Sequence, residues 1–340
     1  MKMSSKKAEK TERISVGGQA LIEGVMMQGP KGAAMSVRLS DGTIDTEKLE
    51  VKHIREKFKP AGWPLIRGVV NMVESLVFGL SCMEKSAEKV GLDDDTDPEN
   101  MSKLDRWISD HFGPKMMAVI TGISMVLGCG IAFALFFYLP SFLVDVVDKY
   151  VFFNALSEVH PVFEGLLRMC IFVLYIWAVS KIPDIKRVFM YHGAEHKSIF
   201  CYENGLELTV ENVRKQKRFH PRCGTSFIFV ILIISILISS VLVVAFPTID
   251  DNRMLWMVVK LLIVPVTVGI GYEFIKYAGT HDNLLVKILS TPGLWMQRLT
   301  TQEPTDDIIE VGIESLKAVL YGVPEKTTDE ETSFEESEEP

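Results

Sequence analysis

Between Tyr191 and Phe227 the chain places three of its seven histidines and two of its five cysteines. The stretch opens with Tyr191-His192-Gly193-Ala194-Glu195-His196-Lys197 and passes through Cys201-Tyr202-Glu203. It closes with His220-Pro221-Arg222-Cys223-Gly224-Thr225-Ser226-Phe227. On a helix, His192 and His196 stand one turn apart on one face, with Glu195 beside them. Two imidazoles at that spacing can hold one divalent ion, and a neighbouring carboxylate can deprotonate a bound water. The order His-x-x-Glu-His is that of the inverted zincins. His192 and His196 are therefore expected as metal ligands and Glu195 as a general base.

Geometry sets what else must contribute. Glu203 lies seven residues beyond His196, roughly 10 Å of helical rise, whereas metal–ligand bonds are about 2 Å. A straight helix keeps Glu203 off that ion, unless it breaks near Cys201. His220 and Cys223 have ligand-like spacing and are the expected completing ligands, although His-x-x-Cys also occurs in structural turns. Further candidates are Glu273, which could instead pair with Lys276 at i+3, and His281 with Asp282, which also read as a helix stop. Glu23 is a candidate second catalytic carboxylate, framed by Gly17, Gly18, Gly24 and Gly29, where backbone can approach closely. Imidazole and thiolate ligands favour a zinc-type ion.

The elements that must position these groups are mostly apolar. Four runs have the length needed to cross a bilayer: about Lys115 to Leu139, Val162 to Ile182, Thr225 to Phe246 and Leu255 to Tyr277. Trp63 to Met83 is also apolar but carries Arg67, Asn71 and Glu74 on one stripe, which suits a helix in the interface or packed against the bundle. The connection between the second and third spans holds eight Lys and Arg, from Lys186 to Arg222. The other two connections offer only Lys149 and Arg253. The positive-inside rule then places the 183–224 loop, and with it both termini, in the cytoplasm.

The fold class expected is mainly α. It is a polytopic membrane helical bundle of about four transmembrane helices plus an interfacial helix, with a small β-rich cytoplasmic cap. Residues 1–13 form a basic disordered arm, 14–60 the Gly-rich β cap and 61–90 the interfacial helix. The segment 91–114 is an acidic linker with a short helix, 115–277 the transmembrane domain and 278–322 cytoplasmic C-terminal helices. An acidic disordered tail occupies 323–340 and accounts for much of the net charge of −8. Within the cap, Ala34–Leu39 and Thr43–Val51 are expected strands around the turn Ser40-Asp41-Gly42. Asp306 to Tyr321 reads as an amphipathic helix packed on the cytoplasmic domain. The five cysteines form no CxxC pair and imply no disulfide framework.

Four strings also carry a resemblance. Gly17 to Met27, Tyr191 to Lys197, Cys201-Tyr202-Glu203 and His220 to Phe227 resemble the YqhQ family of bacterial multi-pass membrane proteins. The similarity covers roughly residues 14 to 320, with small swaps such as Leu21 and Gln28. It implies a bacterial plasma-membrane location and the label that family carries, a metal-dependent enzyme of unknown function.

The function expected is an integral-membrane, metal-dependent, hydrolytic enzyme with its site at the cytoplasmic membrane interface. Its substrate would be a lipid, an envelope precursor or a membrane protein, and nucleic acid is not an expected partner. The alternative is a non-enzymatic membrane scaffold or regulator whose metal, or polar cluster, is structural. Ligand count separates the two, because structural zinc sites close with four protein ligands and catalytic ones keep a position open. A transporter is disfavoured, since the spans show few charges and no internal repeat.

Overall fold

The computed structural model describes residues 16–323, except 52–53, 55–57, 92–118, 121, 154, 156–158, 221–222, 247–248, 250–251, 279–280 and 282. The basic arm, nearly all of the acidic linker, the acidic tail and Asp282 lie outside the described residues. The chain is mainly helical with one small antiparallel sheet. Strands β1 (Gly17–Leu21), β2 (Gly24–Gly29), β3 (Gly32–Arg38) and β4 (Ile44–Leu49) follow one another in a meander. The last two are the hairpin legible in the sequence, with Ser36 opposite Thr46.

Both faces of this sheet are covered, which explains the unbroken apolar spelling Val25-Met26-Met27. Val25, Met27 and Ala34 point to one face and Met26, Ala33 and Met35 to the other, as period-two alternation requires. The first face packs on Tyr191, Ala194 and Ile199 of helix α4 (Pro183–Glu203) and on Ile308, Val311, Leu316 and Val319 of α9 (Asp306–Tyr321). The second face packs on Phe78, Cys82 and Met83 of α1 (Ile66–Val90). Each fully buried Val, Leu or Met contributes about 1.5–3 kcal/mol. Their number makes the sheet with α4 and α9 a core in its own right.

Among the described residues, five helices are long and apolar enough to cross a membrane: the four expected spans and the helix expected at the interface. They are α1, α2 (Gly122–Phe152), α3 (His160–Val179), α6 (Gly224–Ala245, apolar from Phe227) and α7 (Arg253–Ala278). The helix expected to end at Leu139 runs on to Phe152 despite Pro140. That proline has no N–H to give the carbonyl of Phe136, and a π-helical turn at Ala134–Tyr138 absorbs the distortion. Arg168 Nε of α3 then donates to the freed Phe136 oxygen at 2.8 Å.

Contacts between these helices define two ends. At one end, Asp145 of α2 accepts from His160 of α3 at 2.8 Å and pairs with Arg253 of α7. At the other end, Gly271 of α7 lies against Phe227 and Ile231 of α6, and Gly68 of α1 lies against Gly269 and Tyr272 of α7. Arg67 of α1 grips Glu273 there with two hydrogen bonds, at 2.6 and 2.5 Å. Sequence spacing had suggested Lys276 as the Glu273 partner; Arg67 holds it because α1 crosses α7 at this point. Between the ends, Glu164, Arg168 and Lys260 are buried together, which corrects the expectation of spans nearly free of interior charge.

Candidate metal centre

Helix α4 starts where Pro183 and Asp184 follow an extended Ile182, a favourable first turn for Pro and for an acidic residue. It runs unbroken to Glu203, so the straight-helix condition holds. Gly193 faces the 301–305 segment, where a Cβ would stand 2.1 Å from the Gln302 carbonyl. Gln302 N donates to the Phe189 carbonyl at 2.8 Å, so the close approach is hydrogen-bonded as well as packed. This docking turns His192 and His196 toward the start of α6 and the end of α8 (Leu284–Thr300).

His192, His196 and Cys223 meet there, with one potential ligand atom from each lying within 4.8 Å of the others. His192 Nδ1 is 2.8 Å from the Thr300 carbonyl, and His196 Nδ1 bonds the Arg218 carbonyl. A carbonyl can only accept, so each Nδ1 carries a proton, and in the neutral ring the lone pair is then on Nε2. This is the orientation that outer hydrogen bonds impose on metal-binding histidines. His192 Nε2 lies 3.3 Å from Cys223 Sγ, and Thr225 Oγ1 lies 3.2 Å from that sulfur.

His220 lines the same cleft but is not one of the three residues whose ligand atoms converge. Its ring centroid is 5.8 Å from that of His196, and its Nε2 is 3.4 Å from Glu203 Oε2. The Gln297 side chain of α8 clamps its backbone, accepting from His220 N at 2.7 Å and donating to His220 O at 2.8 Å. Glu203 thus meets the site through His220, as the helical rise demanded, and not through the cluster itself.

Glu195 is 5% exposed, and its Oε2 has no hydrogen-bond partner. The Gly18 N–H of β1 bonds the carboxylate, and a Cβ at Gly18 would press within 3.0 Å of the Glu195 side chain. Burial pushes the Glu195 carboxyl up to about 7, while the nearby His192 opposes that rise. Burial likewise pushes His196 well below the usual imidazole value and His220 down to about 4, so both are neutral at pH 7. The Cys223 thiol is raised by burial against the Thr225 hydrogen bonds, so an incoming ion must displace its proton.

The remaining candidates are elsewhere. Glu23 occupies the β1–β2 turn with φ 51°, where Arg187 grips its carboxylate and the Tyr191 hydroxyl donates to it at 3.0 Å. Glu273 is held by Arg67. His281 is exposed and stacked on Tyr277, with ring centroids 4.0 Å apart. Its neighbour Asn283 caps the start of α8 by accepting from Val286 N at 2.9 Å, so the segment opens a helix. Gln297, Thr300 and Arg218 support the cluster and were not read from the sequence as site residues, and Gly18, read there as a point of close backbone approach, makes that approach to Glu195. The first three act through backbone groups or across long separations, which leave no local signal.

A cleft of about 640 Å³ opens onto the cluster, lined by Val16–Ala20 of the β1 region, by α1, by α4 and by the start of α6. The donor set fits a borderline-soft divalent ion: two imidazoles and one thiol whose ligand atoms converge, with the buried Glu195 carboxylate on the same cleft.

No solved structure matches the chain. Residues 63–321 match the family model described as a protein of unknown function, DUF1385. The uncharacterized protein YqhQ of Bacillus subtilis (strain 168) is 35% identical over 314 residues, covering 89% of this chain and 92% of that protein. The chain therefore belongs to the DUF1385 family, a family of unknown function, and is a relative of the uncharacterized YqhQ.

Proposed function

We propose that this protein is an integral-membrane, metal-dependent hydrolase whose centre is formed by His192, His196 and Cys223 at the cytoplasmic end of its bundle. The observation that carries the reading is the convergence of one ligand atom each from His192, His196 and Cys223, with the buried, unpartnered oxygen of Glu195 on the same cleft. Three ligands leave a position open for water, as catalytic zinc sites do. A closed structural centre would need His220 as a fourth, and that ring is directed to Glu203.

In the bilayer reading, α2, α3, α6 and α7 cross and α1 lies along the cytoplasmic face. Supporting this, the start of α1 touches α7 beside Glu273, and its last third covers the sheet. Both ends thus belong to the end of the bundle that carries the basic 183–224 segment.

A bound zinc-type ion would supply Lewis acidity and a water acidic enough to ionise near neutrality. The chain supplies the rest. Glu195 accepts the proton of the attacking water and returns it to the leaving group, with the Gly18 N–H fixing the carboxylate. The apolar walls of the cleft limit access of other water.

The test is metal content by mass spectrometry on detergent-purified protein, comparing wild type with His192→Ala, His196→Ala and Glu195→Gln. The expected result is about one equivalent of zinc or a similar ion, lost in both His variants and kept in Glu195→Gln. Absence of metal from wild type purified without chelators overturns the reading.

A further inference from the structure

The cleft has one wall that a water-soluble substrate would not require. Met72, Leu76 and Leu80 line it from α1 at i, i+4 and i+8, one stripe of that helix. Leu76 is 55% and Leu80 65% exposed, so nothing in the fold covers them. Ile228 of α6, across the opening, is also exposed. Val73 and Val77 of α1, both exposed, continue the apolar surface beyond the cleft. The cleft therefore opens sideways onto apolar helix faces rather than only toward solvent.

Its polar lining is equally specific. Among the described residues no Lys or Arg lines the cleft; its ionisable groups are three histidines, Cys223 and Glu195. Gln19, Ser75 and Thr225 add only neutral hydrogen-bonding groups. Phosphate recognition ordinarily recruits Arg or Lys, which the described lining lacks; the start of α6, which does line the cleft, offers backbone N–H donors that serve an uncharged carbonyl as well. The volume is in the range of sites that enclose a small ligand or one chain of a larger one.

We infer that the substrate is an acylated amphiphile whose chain enters laterally between α1 and the start of α6, presenting an uncharged ester or amide carbonyl to the His192–His196–Cys223 centre. The inference rests on the hydrolase reading above for its chemistry. In the reaction, the oxygen of water bonds to the acyl carbon, and the acyl C–O or C–N bond breaks. The water proton passes through Glu195 to the leaving oxygen or nitrogen. A fatty carboxylic acid and an alcohol or amine result, with no change of oxidation state.

The test uses full-length protein in lipid nanodiscs and a monoacylglycerol carrying a diazirine on its acyl chain. After irradiation, labelled peptides are mapped by mass spectrometry, and metal content is measured on the same sample. Labelling is expected on the segments holding Met72, Leu76 and Leu80 or Phe227 and Ile228. Leu76→Arg and Leu80→Arg should lower it by about tenfold or more, since each sets a charge in the apolar wall. Leu76→Gln serves as a milder variant, and retained metal certifies its fold. Labels spread evenly over the exposed faces of α2 and α3 with the cleft spared overturn the inference. So does stronger cleft labelling by the phosphorylated analogue of the same probe. Bound metal with an unlabelled cleft refutes the amphiphile and leaves the metal centre standing. A labelled cleft without metal upholds the amphiphile site and refutes the hydrolase.

Discussion

Glu164 touches both Arg168 and Lys260, and all three are at most 7% exposed. Arg168 Nη2 donates to Glu164 Oε1 at 2.6 Å, and Lys260 Nζ reaches both oxygens at 2.6 and 2.5 Å. Two cations therefore share one anion, and removing different members must have unequal effects. At an effective dielectric of about 20 and a separation of about 4 Å, each attraction is on the order of 4 kcal/mol. Glu164→Gln deletes both attractions and leaves two like charges buried side by side, a loss of about 3–5 kcal/mol. Lys260→Met leaves a paired Arg168–Glu164 and fills the space with an apolar chain, a change of about 1 kcal/mol or less. For a unit of this size about 2–4 °C accompanies each kcal/mol. The expected drop in melting temperature is then about 6–20 °C for Glu164→Gln and a few degrees for Lys260→Met. Thermal unfolding in detergent can be followed by the fluorescence of Trp256, which is buried with Lys260 Nζ 4.9 Å from its ring centroid. Equal melting of the two variants would refute the shared-anion argument.

Gly193→Ala should strip the 301–305 segment from α4, because its Cβ would stand 2.1 Å from the Gln302 carbonyl. A loss of about 1–3 kcal/mol and faster amide exchange at Thr301–Glu303 are expected, with weaker metal retention as Thr300 releases His192. Zinc at a hundredfold excess over its dissociation constant should stabilise wild type by about 2.7 kcal/mol. Titrated melting curves should show that gain vanish on chelation and be absent from His196→Ala. Glu23→Gln should leave metal content unchanged and lower stability by about 1 kcal/mol or less, since its Arg187 partner is 45% exposed. Loss of metal in that variant would return Glu23 to the centre.

The sequence by itself determined what short-range periodicity can encode. The β3–β4 hairpin follows from alternation around Ser40-Asp41-Gly42, and α9 from the spacing of Ile308, Ile309, Ile313 and Leu316. The apolar runs are legible because length and composition alone specify a helix that can cross a bilayer. His192, Glu195 and His196 share a face because helical spacing places them there, and the rise per residue correctly held Glu203 apart from His196. Only the tertiary structure decided which of the scattered polar residues join them. Cys223 reaches the cluster while His220, three residues earlier, does not, because Gln297 clamps the His220 backbone from 77 positions away. Glu23 goes to Arg187, 164 positions away, and Glu273 to Arg67, 206 positions away. The buried trio of Glu164, Arg168 and Lys260 is invisible in each helix taken alone, since a charge in an apolar run becomes tolerable only through partners that another helix supplies. Pairings of that kind depend on how helices cross, and crossing is fixed by packing between segments far apart in the chain.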